Sequence, residues 1–194
     1  KGLEFLFAKT DIENFVDNLP FKLTKSQYKT SYEILDDLMK EYPMKRLLQG
    51  DVGSGKTVVA SVAIYAAYIS GYQVALMAPT EVLAEQHFNS IKIFLNNYDL
   101  PINLLTSSIK DRESILKNIE NGTPGLIIGT HALIQEKIQF TNLGLAIIDE
   151  QQRFGVEQRK KLINQNGVIP DQLIMTATPI PRTLQFSLMA ARDL

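Results

Sequence analysis

Short apolar segments alternate with longer amphipathic segments along most of the chain. The short segments run for four to six residues, the length of strands that are buried on both faces of a sheet. They are 46–49, 73–78, 102–105, 125–129, 145–148 and 172–175. Apolar residues at helical spacing predict helices between most of them, over 56–70, 81–97, 111–121 and 155–164. This alternation predicts an α/β fold in which a parallel sheet, built through right-handed crossovers, carries helices on both faces.

Two helical patterns precede the first predicted strand. The first is amphipathic, covers 5–19 and is closed by Pro20, so we interpret residues 1–20 as a helix or linker carried over from a preceding domain. The second runs from Thr24 to about residue 41 and ends before Pro43. Residues 21–194 have the length of a single α/β domain.

Composition narrows the classes of function. Hydrophobic residues make up 45% of the chain, but no stretch is long and apolar enough to cross a bilayer. The chain has no cysteine, which excludes disulfides and thiolate metal sites, and its two histidines are far apart, which argues against zinc. The lack of cysteine is compatible with the cytoplasm. A net charge of −1 gives no basic signature, so any contact with nucleic acid must use a local face.

Residues 50–57 read Gly-Asp-Val-Gly-Ser-Gly-Lys-Thr and match the phosphate-binding pattern G-x-x-x-x-G-K-[ST]. A predicted strand precedes the pattern and a predicted helix follows it, so backbone N–H groups and the helix start would cradle a phosphate chain. Lys56 is predicted to reach the β- and γ-phosphates, and the Thr57 hydroxyl to bind Mg²⁺. The predicted nucleotide-binding residues here are Asp51, Val52, Gly53, Ser54, Gly55, Lys56 and Thr57. A glycine-rich turn that matches by chance is the alternative, and the strand–helix context disfavours it.

Two acids follow the apolar run 145–148. Asp149 is predicted to hold Mg²⁺, directly or through water, and Glu150 to polarise the attacking water as a general base. Alternatively, the two acids simply cap the next helix. Taken alone the two interpretations are balanced, but beside a phosphate cradle the hydrolytic one is favoured.

Five motifs in order resemble the superfamily-2 helicases, and within them the RecG-type ATP-dependent DNA helicases. They lie at 47–57, 77–87, 128–135, 147–156 and 175–184. The resemblance extends from Leu19 to the end of the chain. It implies a RecA-like P-loop NTPase domain that binds ATP and Mg²⁺ and forms the first of two helicase lobes.

The resemblance also implies an adenine-recognising segment before the first strand. Its residues are Phe21, Leu23, Thr24 and Gln27, with the Gln27 amide reading the edge of the base as donor and acceptor. Without the family, a simpler interpretation is better: Thr24 caps a helix and Gln27 is solvated.

Loops at the ends of the later strands resemble those that grip one DNA strand by its phosphates, contacts that position the protein without specifying sequence. The residues implied are Pro79, Thr80, Thr106, Gly129, Thr130 and His131. For His131 a packing role is an equal alternative.

Thr176 and Thr178 resemble the motif that couples the state of the bound ATP to the hold on DNA. The strand that ends at this motif is expected to lie between the cradle strand and the acid strand. The alternative is a threonine-rich turn before Pro179.

The chain departs from the family pattern at two places. Gln152 occupies the position of a histidine among the catalytic residues, and since glutamine does not titrate, any role that needs an imidazole charge is in doubt. Residues 105–108 lack a glycine that the family usually has, so their backbone contact with DNA is expected to differ.

These features predict the ATP-binding lobe of a helicase or translocase that remodels branched DNA, such as stalled forks and Holliday junctions. Its partners would be forked or branched DNA, a second lobe and an N-terminal junction-binding domain, and it would act in the cytoplasm at the nucleoid. We expect the lobe alone to be poorly active. The equivalent lobe of a transcription-repair coupling translocase and a non-motor nucleotide-binding module remain alternatives. The sequence Asp-Glu-Gln-Gln at 149–152 disfavours an RNA helicase of the DEAD type.

Overall fold

A computed structural model of the chain describes residues 3–50, 55–130, 133, 138–150, 160 and 168–177. Its strands are β1 (Lys45–Gln49), β2 (Gln73–Met77), β3 (Ile102–Leu105), β4 (Gly125–Gly129), β5 (Leu143–Asp149) and β6 (Asp171–Thr176). Its helices are α1 (Lys9–Asp17), α2 (Lys25–Leu38), α3 (Lys56–Ile69), α4 (Glu81–Leu95) and α5 (Arg112–Glu120). Apart from Lys160, the helix predicted over 155–164 lies outside the described residues.

The six strands form one parallel sheet in the order β1-β6-β5-β2-β4-β3. Each predicted strand is present, and the largest difference at a strand end is at β5, which begins two residues earlier than predicted, at Leu143. The last strand along the chain, β6, lies between β1 and β5. The prediction that the Thr176 strand separates the cradle strand from the acid strand is therefore confirmed.

Alternate residues of the central strands enter two separate cores. In β2, Val74 and Leu76 pack in the core that contains residues of α1 to α4, whereas Ala75 and Met77 pack in the core that contains α5. All five residues of β2 are buried. This burial on both faces explains why the strand reads as a continuous apolar run, and it confirms that helices cover both faces of the sheet.

Helix α3 is the most deeply buried helix among the described residues. Nine of its 14 residues are buried, including four alanines whose small side chains let neighbouring elements approach closely. It contacts the sheet and also α1, α2 and α4. This packing holds the start of α3, where the phosphate cradle ends, at the carboxyl end of β1. None of the helices in the described ranges has the length and apolar character needed to cross a membrane.

The N-terminal segment packs on this same core. Phe5, Ile12 and Phe15 are each 1% exposed, and the Phe15 ring stacks on Tyr65 of α3 with ring centroids 4.7 Å apart. The predicted helix is thus present, although it is shorter than the amphipathic stretch. Its assignment to a preceding domain stays a prediction.

A buried carboxylate lies at the opposite end of the sheet from the cradle. Asp171, the first residue of β6, is 1% exposed and accepts a hydrogen bond from the Met44 backbone N–H through Oδ1, while its Oδ2 has no partner. Burial raises the pKa of Asp171 from 3.8 to about 7; the Met44 hydrogen bond opposes this shift and the charge of Asp37 adds to it. Asp37 is itself paired with Arg46 at 2.9 Å.

The raised pKa of Asp171 predicts that the chain loses stability as the pH rises. In the folded state Asp171 stays protonated up to about pH 7, whereas in the unfolded state it loses its proton near pH 3.8. The free energy of unfolding therefore falls between these two pH values and is constant above them. This fall amounts to on the order of 4 kcal/mol at pH 8. Asp171→Asn keeps an acceptor for the Met44 N–H and removes the ionisable group. The free energy of unfolding is measured with urea at pH 5 and pH 8, and its fall between the two should be much smaller for this variant than for the wild type. Asp99→Asn, at an exposed aspartate, should leave the pH dependence unchanged. An equal fall in wild type and Asp171→Asn would contradict the prediction.

Candidate nucleotide and nucleic-acid site

The carboxyl ends of the six strands meet at one edge of the sheet. Gln49 pairs with Thr176, Asp149 with Met175, and Met77 with both Ile148 and Gly129. Every predicted site motif that follows a described strand therefore begins at this edge. Ligands of parallel α/β sheets bind there, beyond the carboxyl ends of the strands.

The cradle joins β1 to α3. Gly55 is the N-cap of α3 and has a φ of +88°, a left-handed conformation that favours glycine. The Lys56 Nζ donates to the Gly50 carbonyl at 2.8 Å, so the ammonium group lies over the start of the same loop. The Gly50 N–H in turn donates to the Thr176 carbonyl at 3.1 Å, which ties the cradle to β6. Asp51, Val52, Gly53 and Ser54 lie outside the described residues.

Gln27 lies directly against the cradle. A Cβ atom built on Gly55 would come within 1.8 Å of Gln27 Nε2, so the amide occupies the space that a side chain at position 55 would need. Thr24 and Gln27 also form a reciprocal cap at the start of α2: the Gln27 N–H donates to Thr24 Oγ1 at 3.1 Å, and the Thr24 N–H donates to Gln27 Oε1 at 2.9 Å. The alternative interpretation, in which Thr24 caps a helix, is therefore confirmed, whereas Gln27 is not simply solvated. Recognition of adenine by these two residues stays a prediction.

The remaining residues of the predicted adenine segment have different environments. Phe21 is 46% exposed and meets Phe94 of α4 edge to face, with ring centroids 5.8 Å apart. Leu23 is partly buried against the core. An exposed aromatic ring such as Phe21 is suited to stacking on a base, whereas Leu23 fixes the segment to the domain.

Glu150 is held at the end of β5 by the neighbouring strand. Its φ is +54°, a left-handed conformation that is uncommon for a residue with a side chain. Its N–H donates to the Met175 carbonyl at 2.8 Å, and its carboxylate accepts hydrogen bonds from Thr176 Oγ1 at 3.2 Å and from the Ala177 N–H at 3.1 Å. A hydroxyl of the predicted coupling motif, that of Thr176, therefore contacts one of the two acids.

Asp149 has a partner that the sequence did not reveal. Its Oδ2 lies 2.7 Å from Nε2 of His87, a residue of α4, and both side chains are largely buried. His87 and Asp149 are 62 residues apart, so only the packing of α4 near the end of β5 brings them together. A lone histidine on a predicted helix carries no signal for such a contact.

The predicted DNA-contacting loops occupy the other half of the edge. Thr80 is exposed and caps α4, with Oγ1 accepting from the Leu83 N–H at 3.2 Å, so its hydroxyl hydrogen remains for a phosphate. Pro79 and Thr130 are partly exposed. Gly129 is buried, and a Cβ there would come within 2.6 Å of the Leu105 carbonyl oxygen, so close backbone packing by itself requires glycine.

The loop after β3 differs from its prediction in detail. Thr106 is 1% exposed, which keeps its side chain away from the surface; the neighbouring Ser107 and Ser108 are exposed. The Ser107 N–H and hydroxyl both donate to Glu81 Oε1, at 3.0 and 2.6 Å, and these bonds lower the pKa of Glu81. Ser107, in the segment that lacks the family's usual glycine, thus links this loop to the start of α4.

Three further predicted site residues, His131, Gln152 and Thr178, also lie outside the described residues. Among the residues that are described, no three His, Cys, Asp or Glu side chains converge as a metal cage. The donors predicted for Mg²⁺, the Thr57 hydroxyl and the Asp149 carboxylate, are hard oxygen ligands. They fit an ion that keeps several waters and binds through one or two protein groups together with nucleotide phosphates.

A family model for DEAD/DEAH box helicases matches residues 24–186, which is most of the chain. The chain belongs to the DEAD/DEAH box helicase family. The match includes Thr24 and Gln27 of the predicted adenine segment, the G-x-x-x-x-G-K-[ST] pattern, the acid pair and β6.

Relatives within the helicases are close in sequence. The chain is 50% identical to the ATP-dependent DNA helicase RecG of Bacillus subtilis over 195 residues, which is 100% of this chain and 28% of the relative. It is 56% identical to RecG of Synechocystis over 179 residues, 91% of this chain and 21% of the relative. A structure of RecG bound to a three-way DNA junction matches with a TM-score of 0.86 and 42% identity, over 99% of this chain and 26% of that one. The chain thus spans about a quarter of the length of these relatives.

The contact between Gln27 and Gly55 predicts a specific effect of Gly55→Ala. The new methyl group must displace the Gln27 amide, so binding of adenine nucleotides should weaken and the preference for ADP over GDP should shrink. Gly71 is the matched control, because it has a φ of +89° with no atom within 4 Å of a built Cβ. Both alanine variants should lose about 1–2 kcal/mol of stability from the left-handed backbone, but only Gly55→Ala should change the ADP and GDP affinities measured by calorimetry. Gly55→Ala with an unchanged ADP/GDP ratio would refute the assignment of Gln27.

Proposed function

We propose that this chain is the ATP-binding lobe of a RecG-type DNA helicase that remodels branched DNA. The observation that carries the proposal is the shared edge of the sheet: the cradle on β1, Thr176 on β6 and the acids on β5 follow one another along it. A triphosphate seated on the start of α3 would thus have Asp149 and Glu150 within two strands of its terminal phosphate. That arrangement suits hydrolysis better than binding alone.

Four residues form the half of the nucleotide site that this chain would supply, Lys56, Thr57, Asp149 and Glu150, and each has a distinct role in the proposal. We call them the half-site. Lys56 would exchange the Gly50 carbonyl for the β- and γ-phosphates, and its charge would offset theirs. Thr57 and Asp149 would hold Mg²⁺, which when bound neutralises charge on the phosphates. Glu150, whose carboxylate is fixed by Thr176 and Ala177, would accept a proton from the attacking water.

DNA is proposed as the partner on two grounds. The relatives at about half identity are DNA helicases by name, whereas the family description alone covers a broader class. The half of the edge formed by β2, β4 and β3 also presents an exposed hydroxyl at Thr80 and a partly exposed Thr130. Hydroxyls and backbone N–H groups are suitable contacts for phosphates of either nucleic acid, so the relatives decide in favour of DNA.

The chain corresponds to only part of the relatives, so the complete activity is proposed for a longer protein. A second lobe would close over the nucleotide and supply cationic groups, and in related phosphoryl-transfer systems an arginine finger is worth roughly 10³–10⁵ in rate. A junction-binding domain would select branched DNA. We propose that the protein works in the cytoplasm at the nucleoid, and that this lobe alone turns over ATP poorly.

Glu150→Gln separates a motor from a non-motor nucleotide-binding module. In the full-length protein, the variant should bind ATP normally but lose roughly 10²–10⁴-fold in ATP turnover, because the amide cannot accept a proton. Lys56→Ala should instead lose nucleotide affinity while the fold, followed by circular dichroism, is retained. Glu113→Gln, at an exposed glutamate on α5, is the control and should match the wild type. Undiminished turnover and fork unwinding by Glu150→Gln would remove the catalytic assignment.

A further inference from the structure

The contact between His87 and Asp149 has no part in the function proposed so far. His87 Nε2 and Asp149 Oδ2 are 2.7 Å apart, and the exposed fractions of the two side chains are only 15% and 10%. An ionised carboxylate can only accept hydrogen bonds, so Nε2 must donate in this pair whatever the charge of the imidazole. A short bond to a carboxylate belongs to the stronger class of hydrogen bonds.

His87 is presented from a rigid support. Helix α4 is anchored to the core by Ala84, Ile91 and Leu95, which are at most 1% exposed. His87 lies seven residues after Thr80, the cap of this helix, and thus about two turns further along it. The His87 imidazole therefore contacts the Asp149 carboxylate from helix α4, whose first residue follows Thr80, one of the residues proposed to contact DNA.

The bond also restricts which carboxylate oxygen serves as a ligand. With Oδ2 committed to His87, rotation of the Asp149 side chain would break a largely buried hydrogen bond, so the carboxylate keeps one orientation. Oδ1 would then be the oxygen that binds a metal or its water. Hydrogen bonds of this kind to metal ligands orient them and typically change metal affinity by roughly 10–100-fold when removed.

We infer that His87 is a positioning residue for Asp149 and sets the magnesium affinity of the nucleotide site. The inference rests on the proposed function, because it takes Asp149 as a magnesium ligand. A purely structural role for the pair would predict lower stability with no selective effect on magnesium. The two roles are therefore separable by experiment.

The experiment compares three variants of the full-length protein. His87→Leu fills similar space without a donor, and His87→Gln restores an N–H donor at a similar reach from the helix. Asn89→Leu, at an exposed position on α4, is the control for adding a leucine to this helix. ADP affinity is measured by calorimetry in EDTA and across a Mg²⁺ titration, and bound Mn²⁺·ADP is followed by electron paramagnetic resonance, which does not depend on turnover.

We expect His87→Leu to bind ADP in EDTA as the wild type does, but to need roughly tenfold more Mg²⁺ for the metal-dependent gain in affinity and to show an altered Mn²⁺ spectrum. His87→Gln should largely restore the wild-type magnesium requirement and Mn²⁺ spectrum, and Asn89→Leu should match the wild type. Wild-type magnesium dependence in His87→Leu would overturn the inference. Equal loss in the leucine and glutamine variants would also overturn it. If His87→Leu folds poorly, His87→Gln tests the inference by itself: a roughly tenfold greater need for Mg²⁺ in this variant, which keeps an N–H donor, would overturn it.

Asp149→Asn distinguishes failure of the inference from failure of the proposed function. If Asp149→Asn weakens the magnesium response and His87→Leu does not, the positioning role fails and the magnesium site stands. If neither variant changes the response, the assignment of Asp149 as a metal ligand fails as well.

Discussion

Asp149 lies opposite Met175 in the parallel ladder between β5 and β6, and Gln49 lies opposite Thr176 in the ladder between β6 and β1. Hydrogen bonds across these two ladders place the acids, the coupling strand and the cradle side by side, although the cradle and the coupling strand are more than 100 residues apart. Because parallel strands present their carboxyl ends at the same edge, a shift in either register would separate the acids from the residues of the predicted phosphate cradle. The rest of the half-site depends on this pairing.

Glu150, the proposed general base, is held in place by contacts with the neighbouring strand. Its left-handed backbone costs of the order of 1–3 kcal/mol at a residue with a side chain, and such strain persists only when surrounding contacts compensate it. Three hydrogen bonds do so here, all from or to β6 and the residue after it. Because the Gly50 N–H also donates to the Thr176 carbonyl, a movement of β6 would displace the start of the cradle and Glu150 together. This linkage would give the proposed coupling role of Thr176 a physical basis.

Much of this was predictable from sequence because it depends on local pattern. Apolar runs identify strands buried on both faces, and G-x-x-x-x-G-K-[ST] between a strand and a helix identifies the cradle. The contacts that escaped prediction join segments far apart in the chain: His87 with Asp149, Gln27 with Gly55, and Ser107 with Glu81. They depend on how helices pack on the sheet and on side-chain reach. The same reason explains Thr106, whose place in a loop suggested exposure but whose side chain turns into the domain.

The central claim is that the edge formed by β1, β6 and β5 binds and positions ATP for hydrolysis. A crystal structure of the chain with Mg²⁺ and a non-hydrolysable ATP analogue tests it most directly. We expect the triphosphate at the start of α3, Lys56 moved from the Gly50 carbonyl to the phosphates, Mg²⁺ near Thr57 and Asp149, and the base in contact with Phe21 and Gln27. A nucleotide bound elsewhere, or one bound here with Lys56 still on Gly50 and the γ-phosphate remote from Glu150, would contradict it.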